Sequence, residues 1–266
     1  MRNIKLVLEY DGTNYHGWQT QPNLPTIQDT IEDALARLTK TSIQIIGAGR
    51  TDTGVHAEGQ VANFQTDAQM PVIAFQKGLN AMLPRDIVVC SATEVSPEFH
   101  ARFSATSRRY RYTILNREYP TALSRQTSYF FPTTIDVPRA NILCQVLVGK
   151  HDFSSFQKTG SDRINPVCEI YEVSCWKKEP YVYFEIEADA FLRGMVRAIV
   201  GTLLKCMKED DAETELRRIL EAKDRAAAGT SVPAHGLSLI EVKYNTKTIL
   251  VAWFPVRLCI FCSTNF

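Results

Sequence analysis

The chain has 266 residues, of which 45% are hydrophobic and 22% are charged, and its formal net charge is +1. This hydrophobic share is enough for a sizeable core, in one large domain or in two smaller ones. The near balance of charges excludes a global positive field, so any polyanion must be bound by local clusters of basic residues.

The start of the sequence and its cysteines favour a cytoplasmic protein. Residues 1–4 lead directly into a strand-like run, with no signal segment, and no apolar stretch is long enough to span a membrane. The seven cysteines are scattered, so reduced thiols are expected. Cys259 and Cys262 form a CxxC without a second pair at zinc-site spacing, and no metal site is predicted.

The first half of the chain predicts alternating strands and helices. Apolar residues alternate over residues 4–10, which predicts a strand, and turn residues follow it. Apolar residues recur on one face of a helix over residues 26–38, and Thr26 is its predicted N-cap. The other predictions are strands at residues 42–47 and 60–66, a helix at 72–82 and a strand at 87–92.

The second half has a similar order of elements. The predictions are a strand at residues 109–115, a helix at 138–148, strands at 170–176 and 181–188, helices at 191–207 and 212–222, and a strand at 237–244. Two ferredoxin-like α+β units would share one mostly antiparallel sheet, with helices on one face and the other face free to form a cleft. The predicted division is an N-terminal half at 1–115, a C-terminal half at 116–245 and a tail at 246–266.

A glycine-rich loop at residues 47–54 contains Arg50 and Asp52. One interpretation is a tight connection, in which glycines adopt positive φ and Asp52 caps a turn. A dinucleotide site is excluded, because a strand follows the glycines where a helix would be needed. The other interpretation is catalytic, since the nearby guanidinium of Arg50 favours the ionised carboxylate that a nucleophile or general base needs.

A second carboxylate lies near this loop, at Glu58. A glycosidase uses an acid and a base that flank one bond, so Asp52 and Glu58 are a conceivable pair. The sequence gives no separation between the two carboxyl groups, and this alternative stays open.

Residues 102–117 are basic and aromatic, with five arginines and no acidic residue. In a strand, Tyr110 and Tyr112 point to one face, and Arg109 and Arg111 point to the other. Arginine binds phosphate and aromatic rings stack on unpaired bases, so the stretch favours nucleic-acid contact. A non-catalytic RNA-binding module would need only such residues, and a solvated edge strand is the structural alternative.

A late predicted helix carries Arg193 and Arg197 four residues apart on one side. Its apolar face contains Met195, Val196 and Ile199. By itself this pattern favours two solvated arginines on an amphipathic helix.

Taken in order, these segments resemble the bacterial tRNA pseudouridine synthase A family. The resemblance rests on YDGTNYHGWQ at residues 10–19, GRTDTGVHA at 49–57, LPRDI at 83–87, FHARFSA at 99–105, RYRY at 109–112, HDFSSF at 151–156 and MVR at 195–197. No motif of the family is recognised in the tail at 246–266.

The resemblance implies the pseudouridine synthase fold with a central RNA-binding cleft. It implies a homodimeric isomerase that converts uridine to pseudouridine at positions 38, 39 and 40 of the tRNA anticodon stem-loop, without a cofactor. It assigns Asp52 as the nucleophile, Tyr110 as the residue against the target base and a candidate acceptor of the C5 proton, and Arg197 as the partner of Asp52. The other expected substrate contacts are Arg50, His56, Arg109 and Arg111.

The reaction must break the bond from N1 to C1′, turn the uracil, join C5 to C1′ and remove the C5 proton. The target base must first leave the helix stack, which costs a few kcal/mol. Asp52 can attack C1′ or C6, or deprotonate C2′, and the sequence leaves these three routes open.

Overall fold

The computed structural model describes residues 1–160 and 165–245, and it has the predicted α+β fold. Within these residues, ten strands form one sheet. The strands are β1 (Arg2–Tyr10), β2 (Ile46–Gly47), β3 (His56–Thr66), β4 (Ile87–Val95), β5 (Ala105–Leu115), β6 (Tyr129–Phe130), β7 (Gly149–Asp152), β8 (Val167–Lys178), β9 (Tyr181–Ala188) and β10 (Leu237–Tyr244). The five α-helices among these residues are α1 (Ile27–Thr39), α2 (Val72–Met82), α3 (Val137–Val146), α4 (Met195–Cys206) and α5 (Ala212–Ala222).

The order of the strands joins the N-terminal and C-terminal parts of the described chain at the middle of the sheet, where β10 lies beside β3. The order is β4-β1-β3-β10-β5-β9-β8-β7, with β2 beside β3 and β6 beside β5. Most pairs are antiparallel, but β10 runs parallel to β3 through the pairs Ser238 with His56 and Leu239 with Ala57. The division at residue 115 stays a prediction, and β5 lies between β10 and β9 in this order. The tail at 246–266 lies outside the described residues.

Two predicted elements begin four residues later in the structure, and two short strands were not predicted. The strand predicted at residues 42–47 is reduced to Ile46–Gly47, and the Ile45 amide donates to the carboxylate of Glu32 (2.9 Å) rather than to a strand. The helix predicted from residue 191 begins at Met195, because Gly194 has a φ of +71° that no α-helix contains. The short strands β6 and β7 carry too few residues for a periodic signal.

The apolar face of the sheet carries the helices in two groups. On the N-terminal side Ile4, Leu6 and Leu8 are buried, and the ring of Phe64 meets that of Phe75 of α2 at 5.5 Å. The other group is α3, α4 and α5, which pack against one another. The opposite face of β5 and β9 is charged and carries Arg109, Arg111, Glu185 and Glu187.

The loop of Asp52 does not lie on the helix-free face of the sheet, where a cleft was expected. Gln60 lies on the helix side of β3 and donates from its side chain to the Gly49 carbonyl (2.8 Å), so the loop of Asp52 lies on the helix side. Tyr110 is buried on this same side, where its ring packs against Phe191 just before α4. The candidate site therefore lies between the two groups of helices.

Candidate active site

The loop that carries Asp52 is fixed on both sides by hydrogen bonds to the core. The Trp18 amide donates to the Thr51 carbonyl (3.0 Å), and the Thr51 hydroxyl bonds to that of Tyr10 (2.9 Å). The side-chain amide of Gln60 donates a hydrogen bond to the Gly49 carbonyl from β3. These bonds hold the backbone around Asp52 in one position before any substrate arrives, which is what a catalytic carboxylate requires.

Glycine makes the tight turn at Asp52 possible. Gly54 has a φ of +75°, and the Val55 amide closes the turn on the Asp52 carbonyl (3.1 Å). Gly17 has a φ of +91°, and a Cβ there would lie 2.5 Å from the Thr51 carbonyl oxygen. The turn interpretation of this loop therefore holds for its backbone, while the side chain of Asp52 is left for other contacts.

Two guanidinium groups approach the carboxylate of Asp52. Arg197 Nη1 lies 3.7 Å from Oδ2, and Arg193 Nε lies 3.9 Å from Oδ1. Both distances are too long for hydrogen bonds, so the carboxylate is stabilised by charge while its lone pairs stay open. Arg197 is held by its own Nε, which donates to the Val232 carbonyl (2.8 Å).

The hydroxyl of Tyr110 has no hydrogen-bond partner in the described part of the chain. The other three tyrosines of the core bond to Thr51 (from Tyr10), Asp86 (from Tyr15) and the Pro233 carbonyl (from Tyr112). Tyr110 therefore keeps a free polar group beside Asp52.

Burial raises the pKa of Tyr110 to about 12; the charge of Arg108 lowers it and that of Asp52 raises it further. The phenol is thus protonated at neutral pH. Its ring is held at 78° to the ring of Phe191, with 4.9 Å between centroids.

The remaining predicted contacts lie in three different surroundings. Arg50 is exposed, and among residues 1–160 and 165–245 its side chain makes no ion pair or hydrogen bond. His56 is buried, with Nε2 facing the carbonyls of Gln126 (2.8 Å) and His235 (3.2 Å) and Nδ1 accepting from the Gly12 amide (3.0 Å). Its ring therefore ties the loop end to two other segments, and a substrate contact by His56 stays a prediction.

Arg109 and Arg111 point away from Asp52, on the charged face of the sheet. Arg109 pairs with Glu187 (2.5 Å), and Arg111 pairs with Glu185 (2.7 Å). Arg111 also lies 3.6 Å from Glu58. Glu58 therefore lies on the charged face, whereas Asp52 lies on the helix side. The structure does not bring the two carboxylates together as a glycosidase pair.

Arg193 lies at the site although the sequence did not predict it as a site residue. Its position on the predicted helix favoured a solvated side chain, and its side chain is indeed 52% exposed. The sequence offered only the spacing of four residues from Arg197 in a predicted helix, and because α4 begins at Met195 this helical spacing does not explain why both guanidiniums approach Asp52.

The described residues contain no group of three or more histidine, cysteine, aspartate or glutamate side chains that could hold a metal ion. Within the same two ranges, every helix is too short or too polar to cross a membrane.

Comparison of the sequence with known proteins assigns the chain to a family. The sequence pattern of a family described as tRNA pseudouridine synthase matches residues 6–104 and 143–245. The chain belongs to the tRNA pseudouridine synthase family. Its two matched segments each contain part of the site, with Asp52 in the first and Arg197 in the second.

Relatives in this family align over nearly their whole length. The tRNA pseudouridine synthase A of Acetivibrio thermocellus is 47% identical over 244 residues, which are 92% of this chain and 100% of the relative. The corresponding protein of a Thermoanaerobacter species and the tRNA pseudouridine synthase A 2 of Clostridium perfringens are each 43% identical, with the same coverage. The predicted family and fold class are thereby confirmed.

Proposed function

We propose that this member of the family is an isomerase that converts uridine to pseudouridine in the anticodon stem-loop of tRNA, at positions 38, 39 and 40. It works as a homodimer in the cytoplasm and uses no metal or cofactor. The observation that carries the proposal is the carboxylate of Asp52. It lies between two guanidiniums and beside the hydroxyl of Tyr110, which has no hydrogen-bond partner among the described residues.

Asp52 is the nucleophile in this proposal. Attack at C1′, attack at C6 and deprotonation at C2′ all need an ionised carboxylate with a free lone pair. Arg193 and Arg197 stabilise the negative charge without occupying the oxygens by hydrogen bonds, which supports each of these routes. The isomerisation conserves all atoms, since N1 gains a proton when C5 loses one.

Tyr110 acts through its ring and as a hydrogen-bond donor. A phenol whose pKa is raised to about 12 by burial is a poor acceptor for the C5 proton at neutral pH. Its ring packs at a steep angle against Phe191, and this contact fixes the ring against which the flipped uracil would lie. Water takes the C5 proton in this scheme.

Arg50 fills the space that the flipped base leaves in the RNA. It is exposed, lies two residues from Asp52 and has no competing partner in the described chain. The role suits a long cation that can stack on bases and bind phosphate. For Arg109 and Arg111, the close carboxylates weigh against phosphate binding.

A tritium-release assay tests the proposal. The protein is incubated with tRNA that carries tritium at uridine C5, and release is compared with that by Asp52→Ala and Asp52→Asn. We expect release by the wild type and a loss of at least about a thousandfold in both variants. Both variants should bind tRNA within about threefold of the wild type, because the RNA-binding cations are untouched.

The outcomes separate the alternatives. No release from any tRNA with uridines in the anticodon arm would overturn the isomerase proposal. Release that survives in Asp52→Ala would move catalysis to another residue, and free uracil in the products would indicate a glycosidase. Substrates that keep uridine at only one of the three positions test the site preference, and sedimentation equilibrium tests the dimer.

A further inference from the structure

A cavity of about 250 Å³ lies beside the first turn of α4 and shares Arg197 with the site described above. Three of its lining residues are cationic and two carry hydroxyls. It is lined by Lys158, Thr159, Gly194, Arg197, Arg225 and Ser231. We propose that this cavity binds a backbone phosphate of the substrate RNA, next to the nucleotide that is isomerised. This inference rests on the proposed function.

Two of the three cationic side chains that line the cavity have no carboxylate partner among the described residues. Within residues 1–160 and 165–245, no carboxylate lies within salt-bridge distance of Lys158 or Arg225. Arg225 donates to the Ser231 hydroxyl (3.0 Å), a neutral partner that orients the guanidinium and leaves its charge intact. Cations gathered around a polar cavity without acidic partners are suited to bind an anion.

The walls of the cavity are fixed to one another. The Lys158 amide donates to the Arg193 carbonyl (2.9 Å), which ties its loop to the start of α4. The segment that follows Arg225 is tied to the same helix, since the Val232 amide donates to the Arg197 carbonyl (3.2 Å) and the Gly229 amide to the Thr202 hydroxyl (2.9 Å). The backbone segments that carry the cations are thus fixed before the ligand arrives, which lowers the entropy lost on binding.

The place of the cavity selects a phosphate of the reacting strand. Arg197 lines the cavity and also lies 3.7 Å from the carboxylate of Asp52. A nucleotide whose C1′ or base reaches Asp52 has its phosphates bonded to the same sugar, so one of them is within reach of this arginine. The first turn of α4 adds to the attraction, because Gly194 provides no side-chain cap and no acidic residue follows in that turn.

The test is the salt dependence of tRNA binding by Lys158→Ala/Arg225→Ala. The control is Lys178→Ala/Lys208→Ala, which removes two exposed lysines at the end of β8 and beyond the far end of α4. Each phosphate contact contributes roughly 0.7 to 0.9 to the slope of log Kd against log salt. We expect the cavity variant to lose about one unit of slope and to weaken binding about tenfold at 150 mM salt, with the control close to the wild type.

Further arms separate the sources of phosphate and the cause of any failure. If the cavity variant has the wild-type slope, the cavity assignment is overturned. The proposed function still stands in that case if the wild type releases tritium normally. A calorimetric titration with inorganic phosphate tests for a site that binds the free ion. If phosphate binds the wild type but the cavity variant keeps the wild-type slope for tRNA, the cavity binds free phosphate and the RNA assignment is overturned. Lys158→Gln/Arg225→Gln keeps most of the side-chain volume, so its slope reports charge if the alanine variant fails to fold.

Discussion

The sheet carries an arginine–carboxylate cluster on each face, and the two clusters are built in opposite ways. On the helix face, the single carboxylate of Asp52 meets Arg193 and Arg197 at 3.9 and 3.7 Å, beyond hydrogen-bond distance. The other cluster, here called the back-face cluster, has close hydrogen-bonded pairs at 2.5 to 2.8 Å. Its members are Arg109, Arg111, Glu172, Glu185, Glu187 and Lys243.

The difference lies in how far each cluster satisfies its own groups. In the back-face cluster Glu187 accepts from Ser107, Arg109 and Lys243 and has little capacity left for a ligand. Among the described residues, neither the carboxylate of Asp52 nor the hydroxyl of Tyr110 beside it makes a hydrogen bond. A saturated cluster contributes to stability, whereas an unsaturated and fixed one is ready to bind and react.

The largest expected effect separates the two clusters by activity. Arg197→Gln removes the nearer charge from Asp52 and should lower kcat by about a hundredfold to a thousandfold, the usual loss for one preorganised electrostatic group. Arg111→Gln, on the other face, should leave kcat within about threefold. Tritium release under saturating tRNA measures both. A larger loss in Arg111→Gln than in Arg197→Gln would contradict the assignment of the two faces.

Arg193→Gln sharpens the same comparison. Its guanidinium is farther from Asp52 and half-exposed, so solvent screens it, and kcat should fall by no more than about fivefold.

The second prediction separates the clusters by stability. Burial acts to raise the pKa of Glu187, but hydrogen bonds from Lys243, Ser107 and Arg109 outweigh it and bring it to about 2. The carboxylate therefore stabilises the fold fully above its ordinary pKa of 4.5, and this contribution is lost as pH falls towards 2. Glu187→Gln should cost about 3 kcal/mol at pH 7, because Arg109 and Lys243 lose their buried partner.

Urea unfolding at a series of pH values measures this cost. The difference between Glu187→Gln and the wild type should shrink towards zero near pH 2, as the wild-type carboxylate becomes protonated. The control is Glu213→Gln, which removes an exposed pair with Arg217 (2.8 Å) and should cost less than about 0.5 kcal/mol. A cost that does not change with pH would show that packing, not charge, is lost at residue 187.

Much of the local structure could be predicted from the sequence, because it depends on neighbours along the chain. Thr26 caps α1 as predicted, with its side chain accepting from the Asp29 amide. Alternation also correctly placed Tyr110 and Arg109 on opposite faces of β5. The insertion of β10 between β3 and β5 depends on pairing between distant segments, which no local pattern contains.

The site shows the same limit. The resemblance identified Asp52 and Arg197, and the structure brings them together from distant parts of the chain. The basic stretch of β5 suggested an RNA-binding face, but carboxylates from β8 and β9 neutralise Arg109 and Arg111. This neutralisation depends on the register of the paired strands. The absence of acidic residues within the stretch therefore did not predict that its arginines would be free to bind RNA.

The smallest expected effects contrast two tyrosines on the same face of β5. Tyr112 is fully buried and donates to the Pro233 carbonyl (2.8 Å), whereas the hydroxyl of Tyr110 has no partner in the described chain. Tyr112→Phe leaves that carbonyl without its donor and should cost about 1 kcal/mol of stability, measured by urea unfolding. Tyr110→Phe removes no bond and should cost less than about 0.3 kcal/mol by the same argument.

Activity should show the reverse order for these two tyrosines. Tyr110→Phe keeps the stacking ring but loses a donor to the substrate, a loss of about 1 kcal/mol that lowers kcat/KM about fivefold. Tyr112→Phe should leave kcat/KM within about twofold at a temperature well below its Tm. Equal stability losses in the two variants would mean that Tyr110 has a partner inside the protein. In that case the hydroxyl is structural, and the contrast between a saturated and an unsaturated region would not extend to the tyrosines.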